Sequence, residues 1–148
     1  MYTVQQVFDK AIWLMDAQNE STGSTKTSDT KEYELRTPGL VNTMLNDVYP
    51  VSDTCAGRED GKRPFLPEIS AMEDTLDLDA YCCMSILPFG LAGLLLTEED
   101  PTRADFFWQT YQERLQKARA SMPASVEPIE DVYGANCQLE YGQFSRWT

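Results

Sequence analysis

The sequence predicts an all-α fold, a compact bundle of about four helices around one central apolar helix over residues 80–96. Three observations predict it. The first is the run AYCCMSILPFGLAGLLL at residues 80–96, which carries no charge and is bounded by acid: Asp77 and Asp79 before it, Glu98, Glu99 and Asp100 after it. The second is a pair of segments near the two ends of the helical region, around residues 4–17 and 101–122, whose apolar residues recur at helical spacing on one face. The third is a similar pattern from Tyr33 to Tyr49, interrupted by Pro38 and Gly39.

An uncharged run must be buried in a bilayer, a core or an interface. A membrane-spanning helix needs about 20 apolar residues with Lys or Arg anchors. Residues 80–96 fall short of that, contain Ser85, Pro88, Gly90 and Gly93, and have no basic flank. The reading is therefore a core helix, apolar on most sides and wrapped by other helices, with no membrane partner. Pro88 lacks an N–H and crowds the preceding turn, so a kink is expected there. Gly90 and Gly93 remove side chains just beyond it and relieve crowding where a neighbouring helix comes close.

In chain order, Thr3 and Gln6 have capping-box spacing, and Val4, Val7, Phe8, Ala11, Ile12 and Met15 then share one face of a helix expected over residues 4–17. Residues 19–29, NESTGSTKTSD, are polar and rich in Ser and Thr and read as a mobile loop. Asp29 and Glu32 offer a second capping box, before a helix expected to continue, kinked, through Pro38 to Tyr49, where Pro50 ends it. Residues 51–79 read as a long irregular segment in which Phe65, Leu66 and Ile69 form half of a small hairpin. Asp77 or Asp79 caps the central helix, where acid also suits the helix dipole. Asp100 and Pro101 open the last helix, with Ala104, Phe107, Trp108, Tyr111, Leu115, Ala118 and Met122 on one face and Pro123 as its stop.

The chain of 148 residues suits a single domain, with a helical core over residues 1–122 and a non-helical C-terminal tail over residues 124–148. The tail places Tyr133, Tyr141, Phe144 and Trp147 among glycines and acids. Rich in aromatics and poor in aliphatics, it cannot build its own core, so these four residues are the candidate interaction residues, laid on this subunit or a neighbour.

Little points to catalysis. The chain has no histidine, which removes Ser–His and Cys–His pairs and the commonest zinc ligand. Cys82 and Cys83 are adjacent while Cys55 and Cys137 stand alone, so no paired zinc spacing exists and the cysteines read as small buried hydrophobes with free thiols. The acids at Asp74, Asp77 and Asp79 lack the calcium-loop pattern, and phosphate and dinucleotide fingerprints are missing. No catalytic, metal or cofactor site is therefore assigned, and no enzyme is expected. The net charge of −12, with 12 Lys and Arg scattered among 24 acids, gives no nucleic-acid footprint. The N-terminus MYTVQQVFDKA has no secretory character, so secretion is not expected.

Three stretches together carry a resemblance. The chain opens with TVQQVFDKAIWLMD, a polar STGSTKTSDTKEYELRT and an aliphatic GLVNTMLNDVYP; LDLDAYCCMSILPFGLAGLLL follows; ADFFWQTYQERLQKA and then IEDVYG close it. In helix order and length, over residues 1–120, this resembles the small all-helical head–tail connector proteins (adaptor or head-completion proteins) of tailed phages and prophages. The resemblance implies a virion structural protein that forms an oligomeric ring between portal and tail and extends the DNA channel. Its partners would be further copies of itself and the portal and tail proteins. It would reside in the virion, or in the bacterial host cytoplasm during assembly. Pro38 within the second helix departs from that pattern. Two other readings stay open: a tail-completion or neck protein, and an acidic soluble regulator that binds a basic partner protein.

Overall fold

The computed structural model describes residues 1–55 and 61–121. Among them are four α-helices and one two-stranded sheet, so the fold is all-α as the sequence predicts.

The chain enters through β1 (Tyr2–Thr3) and turns directly into α1 (Val4–Met15). The predicted capping box is present: the Gln6 N–H donates to Thr3 Oγ1 at 3.4 Å, and Gln6 Oε1 accepts from the Thr3 N–H at 3.0 Å. Val4, Val7, Phe8, Ala11, Ile12 and Met15 are buried, the face the spacing implies. The helix stops short of residue 17 because Asp16 takes a left-handed conformation, φ 57°, and its N–H returns to the carbonyls of Ile12 and Trp13.

The following polar loop is tied by its own side chains. Asn19 Oδ1 accepts from the N–H groups of Ser21 and Thr22, and the Thr25 hydroxyl donates to Asp9 on α1 at 2.7 Å. The loop ends at α2 (Lys31–Val48). The capping box expected from Asp29 and Glu32 does not form. Thr30, not Asp29, precedes the first helical residue, and its hydroxyl is committed backwards, donating to the Thr25 carbonyl at 2.6 Å. The helix does continue through Pro38. Next to that missing N–H, the buried Thr37 hydroxyl donates to the Tyr33 carbonyl at 2.7 Å. A 3₁₀ turn, Tyr49–Val51, carries Pro50 and ends the run.

The hairpin half expected over Phe65, Leu66 and Ile69 is absent. Pro64 and Pro67 remove donors that a ladder would need. Ile69 is instead held by Asn42 of α2, whose amide donates to the Ile69 carbonyl at 2.8 Å and accepts from its N–H at 2.9 Å. The strand that does form is β2 (Thr75–Leu76), antiparallel to β1, with Tyr2 opposite Leu76 and Thr3 opposite Thr75.

Asp79 then caps the central helix, accepting from the Cys82 N–H at 2.8 Å. Its first part, Cys82–Ile86, is a π turn in which the Leu87 N–H reaches the Cys82 carbonyl; α3 (Leu87–Leu95) follows. The irregularity expected at Pro88 thus falls in the turn before it, where Pro88 has no N–H to give to the residue four back. The Ser85 carbonyl in this turn accepts from the Arg114 guanidinium at 3.1 Å, and the same guanidinium lies 4.4 Å from the Phe89 ring centroid.

Asp100 caps α4 (Pro101–Ser121), accepting from the Arg103 N–H at 3.1 Å. Ala104, Phe107, Tyr111, Leu115 and Ala118 form its buried face. α3 lies at the centre and packs on α4, α1 and α2. Its glycines allow the close approach anticipated: a side chain at Gly90 would meet Met44 and the Tyr111 ring, and one at Gly93 would stand 3.1 Å from the Ala104 carbonyl oxygen and the Trp108 nitrogen. Ile86, Leu87, Leu91 and Leu95 are each at most 1% exposed, so burial of this one segment supplies about 1.5–3 kcal/mol per residue. No helix among the described residues is long and apolar enough to cross a membrane.

Candidate interaction surface

The four residues singled out from the sequence, Tyr133, Tyr141, Phe144 and Trp147, lie outside the described residues. So does Cys137, while Cys55, Cys82 and Cys83 are free thiols.

The interior titratable groups are held in unreactive states. Burial, then the Asp79 charge, pushes the Cys82 thiol up to about 12, and the same two causes push Cys83 to about 12. The thiolate is the nucleophile, so both sulfurs stay protonated and inert at neutral pH; Cys83 also points its S–H at the Leu78 carbonyl, 3.8 Å away. Burial, then a contact with Glu99, raises Tyr33 to about 12. Burial, then the Asp47 charge, raises Tyr111, whose hydroxyl has no hydrogen-bond partner among the described residues. Asp79 goes the other way. Burial pushes its carboxyl up, but hydrogen bonds from the Cys82 and Asp53 N–H groups outweigh it and hold the group below the usual carboxylate range. Asp79 also donates its own N–H to the buried Ser52 hydroxyl at 2.9 Å, so one carboxylate joins the end of the 3₁₀ turn to the start of the central helix. No group of three or more Cys, Asp or Glu among the described residues could hold a metal ion.

Two of the concavities on the outside are lined by described residues alone. One, of about 300 Å³, lies where α3 meets α4, between Gly93, Leu94, Pro101, Ala104 and Trp108. The other, of about 420 Å³, is a slot between β2 and the segment Leu66–Ile69, with Leu45 of α2 in its wall. Glu68, Asp74 and Asp77 line it, with no Lys or Arg among the described residues. Asp74 accepts from the N–H groups of Ser70 and Ala71, bonds that hold its pKa below the usual range.

Exposed apolar side chains stand on three helices: Trp13 on α1, Leu35 on α2 and Phe106 on α4 are 58%, 77% and 63% exposed. The end of α1 and the start of α4 are tied together by Arg103, which donates to the carbonyls of Leu14 and Met15 at 3.4 and 3.1 Å. That tie fixes the bearing of Trp13 relative to the helix that carries Phe106.

Sequence reasoning passed over the slot, although a signal for one wall was present. Thr75-Leu76-Asp77-Leu78-Asp79 alternates, with Leu76 and Leu78 buried and Thr75 and Asp77 exposed. That is the period of a half-buried strand, not merely an acidic lead into a helix.

No protein-family model, no curated protein and no solved structure matches this chain.

Proposed function

We propose that the chain is a structural protein of a tailed-phage or prophage virion, a head–tail connector acting as a ring subunit between portal and tail. The single observation that carries this reading is the order and length of the helices around one core. A short capped helix is followed by a polar loop, then an aliphatic helix, then an acid-capped central helix, then a long terminal helix. That is the order in which the resembling stretches run. The exposed apolar side chains on α1, α2 and α4 support it, because a subunit that works by docking needs apolar anchors on more than one face. The protonated, buried thiols support it too: they are packing groups, not nucleophiles. The net charge of −12 suits a wall past which DNA moves without sticking.

The acid-lined slot favours a second reading, an acidic regulator that binds a basic protein. One experiment separates the two. A tagged chain is recovered from induced cells carrying the source phage, and its partners are identified by mass spectrometry. Portal and tail subunits are the expected result. Recovery of one basic protein with no virion component would overturn the connector reading. A chain truncated after Ser121 should keep its helical circular dichroism and lose portal or tail binding.

A further inference from the structure

The slot beside β2 has a chemistry that the connector reading does not use. In the ladder between β1 and β2, the Val4 N–H donates to the Asp74 carbonyl at 3.1 Å. With Tyr2 opposite Leu76 and Thr3 opposite Thr75, the Asp74 carbonyl and the Leu76 main-chain groups turn toward β1, while the Asp74 N–H donates to the Ala71 carbonyl at 3.3 Å. Thr75 lies between them, and in an antiparallel pair such a position turns its N–H and C=O the other way. Among the described residues the sheet has only these two strands; on the outer side of β2 the Asp77 carbonyl accepts from the Thr54 hydroxyl at 2.7 Å, and no described strand pairs with Thr75 there. β1 contributes nothing to the slot lining, so the slot lies along that outer side. The opposite wall, Leu66–Ile69, is kept in place by the paired hydrogen bonds between Asn42 and Ile69.

The lining is amphipathic in a particular way. Leu45, Leu66, Ile69 and Leu76 give it apolar surface, while Glu68, Asp74 and Asp77 give it charge of one sign. From residue 64 to residue 79 the chain has five acids and no Lys or Arg. Open strand edges are usually blunted with Lys or Pro, or covered; here Pro67 stands on the far wall, and the charged residues beside Thr75 and Leu76 are the acids Asp74 and Asp77.

We propose that the outer edge of β2 and the acidic slot beside it bind an extended basic segment of a partner protein, added as a strand with Lys or Arg at alternate positions. The main chain of the segment pairs with Thr75, its apolar side chains meet Leu45 and Leu66, and its cations meet Glu68 and Asp77.

The test uses the full chain, labelled with ¹⁵N, and a short synthetic peptide that alternates lysine and valine. Amide shifts should move at Thr75–Asp77 and along residues 66–69, and binding should weaken as salt is added. Glu68→Gln with Asp77→Asn, two exposed side chains, should weaken binding about fivefold, the size expected of two exposed ion pairs. Two N-methylated peptides report on the main chain without altering the protein. Methylation of alternate amides in one register should abolish binding, and in the other register leave it intact. Equal binding by both methylated peptides, or shifts spread over the whole acidic surface, would overturn strand addition. Self-association of the chain through this slot, competed by the peptide, would overturn a foreign basic segment as the occupant. Neither result depends on whether portal or tail subunits are recovered from cells.

Discussion

Replacing Gly90 with alanine should destabilise the protein, although alanine is the better helix former. The added methyl would stand against Met44 Sδ, 2.9 Å from Tyr111 Cδ2 and 3.1 Å from Tyr111 Cγ. The sulfur sits partway along a flexible side chain and can swing aside. The ring cannot: Tyr111 is 1% exposed and its centroid lies 4.8 Å from that of Trp108. Overpacking of this kind costs about 1–3 kcal/mol, and the helix propensity gained by replacing glycine returns about 1 kcal/mol. The net loss is about 1 kcal/mol and at most about 2, or a fall in Tm of roughly 2–8 °C for a chain of this size. Gly39→Ala is the matched control. Gly39 lies inside α2 with nothing within 4 Å of where the methyl would go, so propensity alone acts and stability should rise by about 0.5–1 kcal/mol. Urea unfolding followed by circular dichroism measures both. If Gly90→Ala is as stable as the parent while Gly39→Ala gains, then α2 and α4 do not close on α3 at Gly90, and the account of the core is wrong.

Three other expectations come from buried polar groups. The pKa of Asp79 is lowered by folding, so its contribution is present above its unfolded value of about 3.9 and is lost as pH falls through the folded value. Asp79→Ala should therefore cost about 1–2 kcal/mol at neutral pH, and its unfolding midpoint should converge on that of the parent in acid; a gap that persists there would show that the charge is not what matters. With Cys55 and Cys137 changed to serine, a thiol reagent at mildly alkaline pH should label Cys82 and Cys83 only as fast as the protein unfolds, with rates rising in step with urea. Rapid labelling in native buffer would mean that the π turn opens on its own. Tyr111→Phe removes a buried hydroxyl that has no partner among the described residues, so stability should hold or rise, by on the order of 1 kcal/mol; a clear loss would reveal a bonded water or side chain.

Much of the helical frame was legible because its signals are local. The spacing from Val4 to Met15, the box of Thr3 and Gln6, and the pair Asp100 and Pro101 each sit within a few residues of the structure they specify. The second capping box failed for an equally local reason, since Thr30 lies nearer the helix start and its hydroxyl had other acceptors in reach. The misplaced strand failed for a non-local one. Residues 65–69 have apolar content, but their position is set by Asn42, 27 residues earlier, while the ladder goes to Thr75 and Leu76 because the far N-terminus arrives beside them. The slot brings Leu45 of α2 against residues 66–77, more than 20 positions on, so only its alternating wall left a trace in the sequence. The aromatic tail, which drew most of the sequence reading on interaction, lies outside the described residues.

The π turn at Cys82–Ile86 has a geometric consequence for the whole central helix. An α-helix advances about 100° per residue, so one surplus residue in a turn offsets the azimuth of all that precedes it from all that follows. The upstream part can then aim Cys82 and Cys83 inward while Asp79 keeps its grip on Ser52 and Asp53. The downstream part is free to present Gly90 to α2 and α4, and Gly93 to α4, on its own phase. Deleting a single residue between Tyr81 and Leu87 would restore a uniform pitch yet break this agreement, swinging the capping carboxylate away from its loop. Chain length in that turn is thus a rotational setting that keeps two halves of one segment in register with different neighbours.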